Sequence, residues 1–117
     1  MGGEDITSVE LVEKWVYKDL QSGFTAREQE EILDDLDDLE DQLTVWSRSL
    51  PNAVDILNDV AGKTVYRRRQ GGFRSYLIRQ GDTLYCIGIG KRDTTYERDL
   101  KQIEKRADSY DPENKDE

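Results

Sequence analysis

The sequence predicts an α+β domain in which an N-terminal helical hairpin packs on an antiparallel β-meander, with a C-terminal helix after it. Three observations lead there. Ile32, Leu36, Leu39, Leu43 and Trp46 recur at spacings of 4, 3, 4 and 3, which makes one apolar stripe on a long helix. Three runs rich in Tyr, Val, Ile and Thr lie between residues 64 and 90, separated by Gly71-Gly72 and Gly81-Asp82. Leu100, Ile103 and Ala107 then share one side of a stretch that carries Arg98, Lys101 and Lys105 elsewhere.

The first segment reads two ways. Thr7, Val9 and Leu11 alternate with Ser8 and Glu10, as in a short strand, whereas Thr7-x-x-Glu10 has the form of a capping box opening a helix. The strand is the favoured reading, with a helix from about Glu13 to Leu20. Gly23-Phe24 breaks the chain, and Thr25-Ala26-Arg27-Glu28 forms a second capping box that starts the long helix. Pro51-Asn52 ends that region, and Ala53 to Leu57 is expected to make a short turn of helix. Strands follow over Thr64–Arg69, Phe73–Arg79 and Thr83–Gly90, then a helix over about Thr95–Ala107. Residues 1–107 are expected to form one domain, and the acidic tail 108–117 to be disordered.

A length of 117 residues with 35% apolar content suits a single small core. No run is long and apolar enough for a membrane span, and Met1-Gly2-Gly3-Glu4-Asp5 lacks the basic and apolar parts of a signal peptide, which points to the cytoplasm. Cys86 is the sole cysteine and there is no His. Disulfides within the chain, His-based metal sites and His-dependent nucleophiles are therefore excluded. No metal and no small-molecule cofactor is expected, and any chemistry must run on Arg, Lys, Tyr, Asp or Glu.

The net charge of −9 argues against nucleic acid, yet it is unevenly spread. Residues 1–62 carry −12, residues 63–106 carry +7 and residues 107–117 carry −4. Such asymmetry suits a partner of defined charge meeting one face. Asp34, Asp35, Asp37, Asp38, Glu40 and Asp41 on the long helix could gather a cation or a basic partner. Consecutive helical acids diverge, however, so a solvated acidic face is the expectation.

The basic segment centres on Arg67-Arg68-Arg69-Gln70-Gly71-Gly72-Phe73-Arg74. Arg67 and Arg69, two apart in a strand, share a face. If Gly71-Gly72 is a two-residue turn, Gln70 pairs with Phe73 and Arg69 lies opposite Arg74. Like charges directly across a strand pair repel unless an anion sits between them. Arg is the side chain whose planar fork grips phosphate, and all five basic residues from 67 to 79 are Arg. The competing reading pairs these arginines with the acids of the long helix. Gly90-Lys91-Arg92 adds two cations, and Tyr96 either stacks on a base, donates a proton or packs its ring on the sheet.

The segment Tyr66 to Arg74, the strand Thr83–Ile89, Gly90-Lys91-Arg92 and Tyr96 together resemble the RelE/ParE toxin superfamily, as does the helical hairpin with Thr25-Ala26-Arg27-Glu28-Gln29. The resemblance spans roughly residues 6–106. It implies a RelE-like microbial RNase fold. It also implies a type II toxin–antitoxin toxin that enters the ribosomal A site and cuts mRNA, the substrate's 2′-OH attacking the adjacent phosphate without a metal. Carried over, Arg74 stabilises the pentacovalent phosphate, Arg67 acts at the 2′-OH or its charge, Arg92 assists the leaving 5′ oxygen and Tyr96 orients the cut nucleotide. Lys63, Arg68, Arg69 and Lys91 are expected to hold RNA. A cognate antitoxin would offer acids to the Arg face. A ParE-like gyrase poison and an inactive toxin-fold binding module are the alternative readings.

Overall fold

A computed structural model describes residues 6–91 and 96–110, with side chains for all of these except 96–99. The chain runs β1 (Ser8–Leu11), α1 (Glu13–Gly23), α2 (Ala26–Thr44), α3 (Leu50–Ala53), β2 (Asp55–Val60), β3 (Lys63–Gln70), β4 (Phe73–Gln80), β5 (Thr83–Lys91) and α4 (Tyr96–Ser109). The five strands form one mixed sheet in the order β1-β5-β4-β3-β2.

The strand reading of the first segment holds. β1 lies parallel to β5, pairing Ser8 with Thr83 and Leu11 with Cys86, so the sheet is mixed rather than purely antiparallel. Its amide at Val9 is satisfied from α2, where Glu40 Oε2 accepts at 2.7 Å. The capping box forms as read: Thr25 Oγ1 accepts from the Glu28 amide at 3.1 Å and Glu28 Oε1 accepts from the Thr25 amide at 2.9 Å. Gln29 Nε2 then donates to the carbonyls of Leu20 and Phe24, which ties the C-terminus of α1 to the start of α2. Ile32, Leu36, Leu39 and Leu43 are buried against Tyr66, Phe73, Leu77 and Leu84 of the sheet. Full burial of such side chains contributes about 1.5–3 kcal/mol each.

Three expectations need correction. The helix stops at Thr44, so Trp46 leaves the stripe and is 74% exposed. Asp35 is buried rather than solvated, because it faces Arg68. The helical turn lies at Leu50–Ala53, ahead of the expected place, and Asp55–Val60 is a strand. That strand pairs antiparallel with β3 across Ala61 and Gly62, whose φ values of 52° and 80° are the pattern of a type I′ hairpin turn. The meander therefore has four strands, not three. Their expected bounds elsewhere hold to within about one residue.

The two faces of the sheet have different covers. α1 and α2 pack on one, and α4 lies across the other, where Ile103 and Ala107 meet Val65, Tyr76, Ile78 and Ile87. β5 carries a bulge: Tyr76 pairs with Gly88 but Leu77 with Cys86, which leaves Ile87 as the extra residue. Arg106 of α4 donates from Nη1 to the Ile87 carbonyl at 2.9 Å. It also grips Asp19 of α1 through Nη1 to Oδ2 at 2.8 Å and Nη2 to Oδ1 at 3.1 Å. Asp19 Oδ2 in turn accepts the Ile89 amide at 2.9 Å. One buried ion pair thus joins both helical layers at the bulge and satisfies the edge of β5 beyond β1. Gly88 makes room for it, since a Cβ there would fall 2.8 Å from Arg106 Nη1 and 3.2 Å from Asp19 Oδ2. Among the described residues no helix is long and apolar enough to cross a membrane.

Candidate nucleic-acid interface

The alternation of β3 decides which arginines can act together. Val65 belongs to the α4 face and Tyr66 to the α1/α2 face. Arg67 and Arg69 therefore share the α4 face, and Arg68 turns to the other. On β4, Tyr76 and Ile78 mark the α4 face, which puts Arg74 there as well. The β3–β4 turn has the expected register: Gln70 pairs with Phe73 and Arg69 lies opposite Arg74. Gly71 holds φ at 58°, the positive value that the first residue of a type II′ turn requires and that glycine adopts without strain. Three guanidiniums are thereby set on one face at one end of the sheet.

Their surroundings differ. Arg67 is largely covered, its side chain 19% exposed, and its Nη2 lies 3.2 Å from Asp55 Oδ2. Arg69 is 58% exposed, with its Nε 3.1 Å from the same oxygen. Asp55 enters the site through backbone register, since it stands directly across from Arg67. Among the described residues Arg74 meets no carboxylate; its guanidinium meets only the Phe73 carbonyl, at 3.4 Å. The bulge in β5 sets Gly90 opposite Arg74, so the position directly across from it carries no side chain. A small hollow of about 150 Å³, lined by Pro51 to Asp55, Arg67 and Arg69, opens beside the pair.

The remaining expected site residues are elsewhere. Arg68 is a correction: it is buried on the α1/α2 face, where Nε meets Asp35 Oδ2 at 2.8 Å and Nη2 meets Asp35 Oδ1 at 2.9 Å. The pairing of an arginine with the acids of the long helix is thus real for Arg68, while Arg67 and Arg69 take Asp55 instead. Lys63 is also corrected. Its Nζ donates to the carbonyls of Ala107 and Tyr110 at 2.8 and 2.7 Å, which caps the negative end of α4. Lys91 points to the α1 side, its Nζ 5.6 Å from the centre of the Phe24 ring, on the face opposite Arg74. Arg92 lies outside the described residues, and Tyr96 opens α4 with its side chain outside them.

Chemically, the cluster can hold and neutralise an oxyanion. Arginine stays charged at all working pH values and has no acceptor, so it cannot take a proton. Asp55 is the one carboxylate touching the cluster among the described residues. Sequence reasoning missed it because residues 53–57 were assigned to a helix. The signal was the Ala61-Gly62 turn immediately ahead of a strand, which implies a partner strand before it. No family model, curated protein or solved structure matches this chain.

Proposed function

We propose that the Arg67, Arg69 and Arg74 face is an RNA-phosphate surface, and that the protein is a RelE-like type II toxin that cuts mRNA on the ribosome. The supporting observation is the register: Arg69 stands opposite Arg74 with Arg67 on the same face, three like charges that meet one carboxylate, Asp55, among the described residues. The order of elements, a strand, a helical hairpin, a meander and a last helix, accords with the same family.

In this reading Arg74, which meets no carboxylate among the described residues, lies against the scissile phosphate. As the substrate's 2′-OH attacks, losing its proton to water and expelling the 5′ oxygen, charge grows on the phosphate oxygens, and a preorganised guanidinium stabilises that growth. Arg67 acts at the attacking oxygen by its charge alone, and Arg69 holds the adjoining backbone. Arg92 and Tyr96 serve the leaving oxygen and the cut nucleotide. The toxin works in the cytoplasm against mRNA in the ribosomal A site. It is restrained by a cognate antitoxin whose acids meet the Arg face and whose apolar residues cover exposed Val45, Trp46 and Ile56.

A second reading is favoured by Asp55. Because it already occupies Arg67 and Arg69, the face can serve as a binding module without cleavage. Translating ribosomes programmed with a defined mRNA separate the two. The endonuclease reading expects A-site cleavage by the wild type and a loss of about 100-fold for Arg74→Ala. Wild-type protein that binds these ribosomes and leaves the mRNA intact would refute it.

A further inference from the structure

Asp55 does more than neutralise charge. Its Oδ2 bridges Arg67 Nη2 at 3.2 Å and Arg69 Nε at 3.1 Å, the position a phosphate oxygen would take between two guanidiniums of one strand face. Two features make this a seat rather than a sealed structural pair. The Asp55 side chain is 41% exposed, so it can turn into water, and the hollow formed with residues 51–54 lies beside it. The buried pair of Arg68 with Asp35, at 7% exposure for each side chain, shows the contrast within the same strand.

We infer that Asp55 is the resident occupant of the Arg67/Arg69 phosphate seat and decides which anions the seat accepts. The inference rests on the reading of this face as an RNA-phosphate surface. A tethered carboxylate competes at an effective concentration on the order of millimolar or above. A lone anion such as inorganic phosphate must exceed that value unaided. A polynucleotide does not, because among the described residues no carboxylate has to be displaced from Arg74. One phosphate lands there, the next is delivered in tandem to Arg69 and Arg67, and Asp55 swings out as it arrives. The seat thus selects chains of phosphates over single ones.

The test is binding of a fluorescent single-stranded oligouridylate across a salt series, with inorganic phosphate as competitor. Asp55→Asn is expected to bind the RNA about tenfold more tightly at low salt, with a log affinity against log salt slope steeper by about one. Phosphate should also displace RNA from Asp55→Asn at a lower concentration than from the wild type. Asp59→Asn removes the same charge further along β2, where Asp59 bonds only Thr64 in the described structure, and should leave affinity within about twofold. Asp55→Ser is read by the same criteria where the Asn variant does not fold. Suppose the wild type binds and Arg74→Ala abolishes binding, but Asp55→Asn is unchanged or weaker: the role of Asp55 is then overturned and the RNA face stands. Absence of Arg74-dependent binding in both the wild type and Asp55→Asn overturns both.

Discussion

Replacing Asp35 by Ala should destabilise the fold by about 3 kcal/mol, because it strands a buried cation. In the native protein the Arg68 guanidinium has a two-point grip on Asp35, at 2.8 and 2.9 Å, with both side chains 7% exposed. After the substitution it keeps only the Ala53 carbonyl at 3.3 Å and Asp38 at 3.6 Å, and the Asp38 side chain is 60% exposed. Breaking a buried pair from one side costs about 3–5 kcal/mol, and the remaining Asp38 places the expectation at the lower end. At about 4–8 °C per kcal/mol for a domain near 100 residues, Tm should fall by about 12–24 °C. Urea denaturation followed by far-UV circular dichroism reads the change directly. Arg68→Met in the Asp35→Ala background should restore much of the loss, since no buried charge is left. A loss below about 1 kcal/mol, or a double variant less stable than the single one, would refute the assignment of Arg68 to structure.

Two further outcomes follow from the bulge in β5. Gly88→Ala should destabilise by about 1–3 kcal/mol, because its Cβ would run into Ile103 Cδ1 and meet Arg106 Nη1 at 2.8 Å; hydrogen exchange should quicken in α4 before the rest of the chain, and an unchanged melt would count against the packing described. Burial pushes the Cys86 thiol up to about 12, so native protein at pH 8 should resist thiol reagents that label it stoichiometrically in urea. The raised value also fixes a sign. The stability held by the neutral thiol is complete below its ordinary value of 9.0 and is lost as pH climbs towards about 12. Tyr85, raised by burial and by the charges of Glu10 and Asp82, adds to the alkaline loss. Rapid labelling of Cys86 in folded protein, or stability that is flat from pH 9 to 12, would contradict this.

Much of the architecture was legible because local signals and tertiary demands agree. The Thr25–Glu28 box is satisfied within four residues, so its geometry follows from sequence spacing alone. The Gly71-Gly72 turn fixes its own register, and through it the Arg69/Arg74 juxtaposition, without help from the rest of the fold. Where the reading failed, the deciding contact was distant in sequence. Asp55–Val60 has poor strand composition and becomes a strand by pairing with β3, which brings an unforeseen carboxylate into the Arg cluster. Asp35 looked like its neighbours on an acidic helix, and only the direction of Arg68 from the sheet singles it out. Lys63 read as one more cation, yet it caps a helix 44 residues away in sequence. Arg92 and Tyr96 were sequence expectations whose side chains lie outside the described residues.

RNA is proposed to meet the α4 face of the sheet at Arg67, Arg69 and Arg74. Arginine side-chain Nε–H signals followed by NMR during titration with single-stranded RNA test it most directly. The signals of Arg74, Arg69 and Arg67 should move at low salt and recover at high salt, while those of Arg68 and Arg106, locked on Asp35 and Asp19, stay still. Shifts confined to other arginines, or none below millimolar RNA, would contradict it.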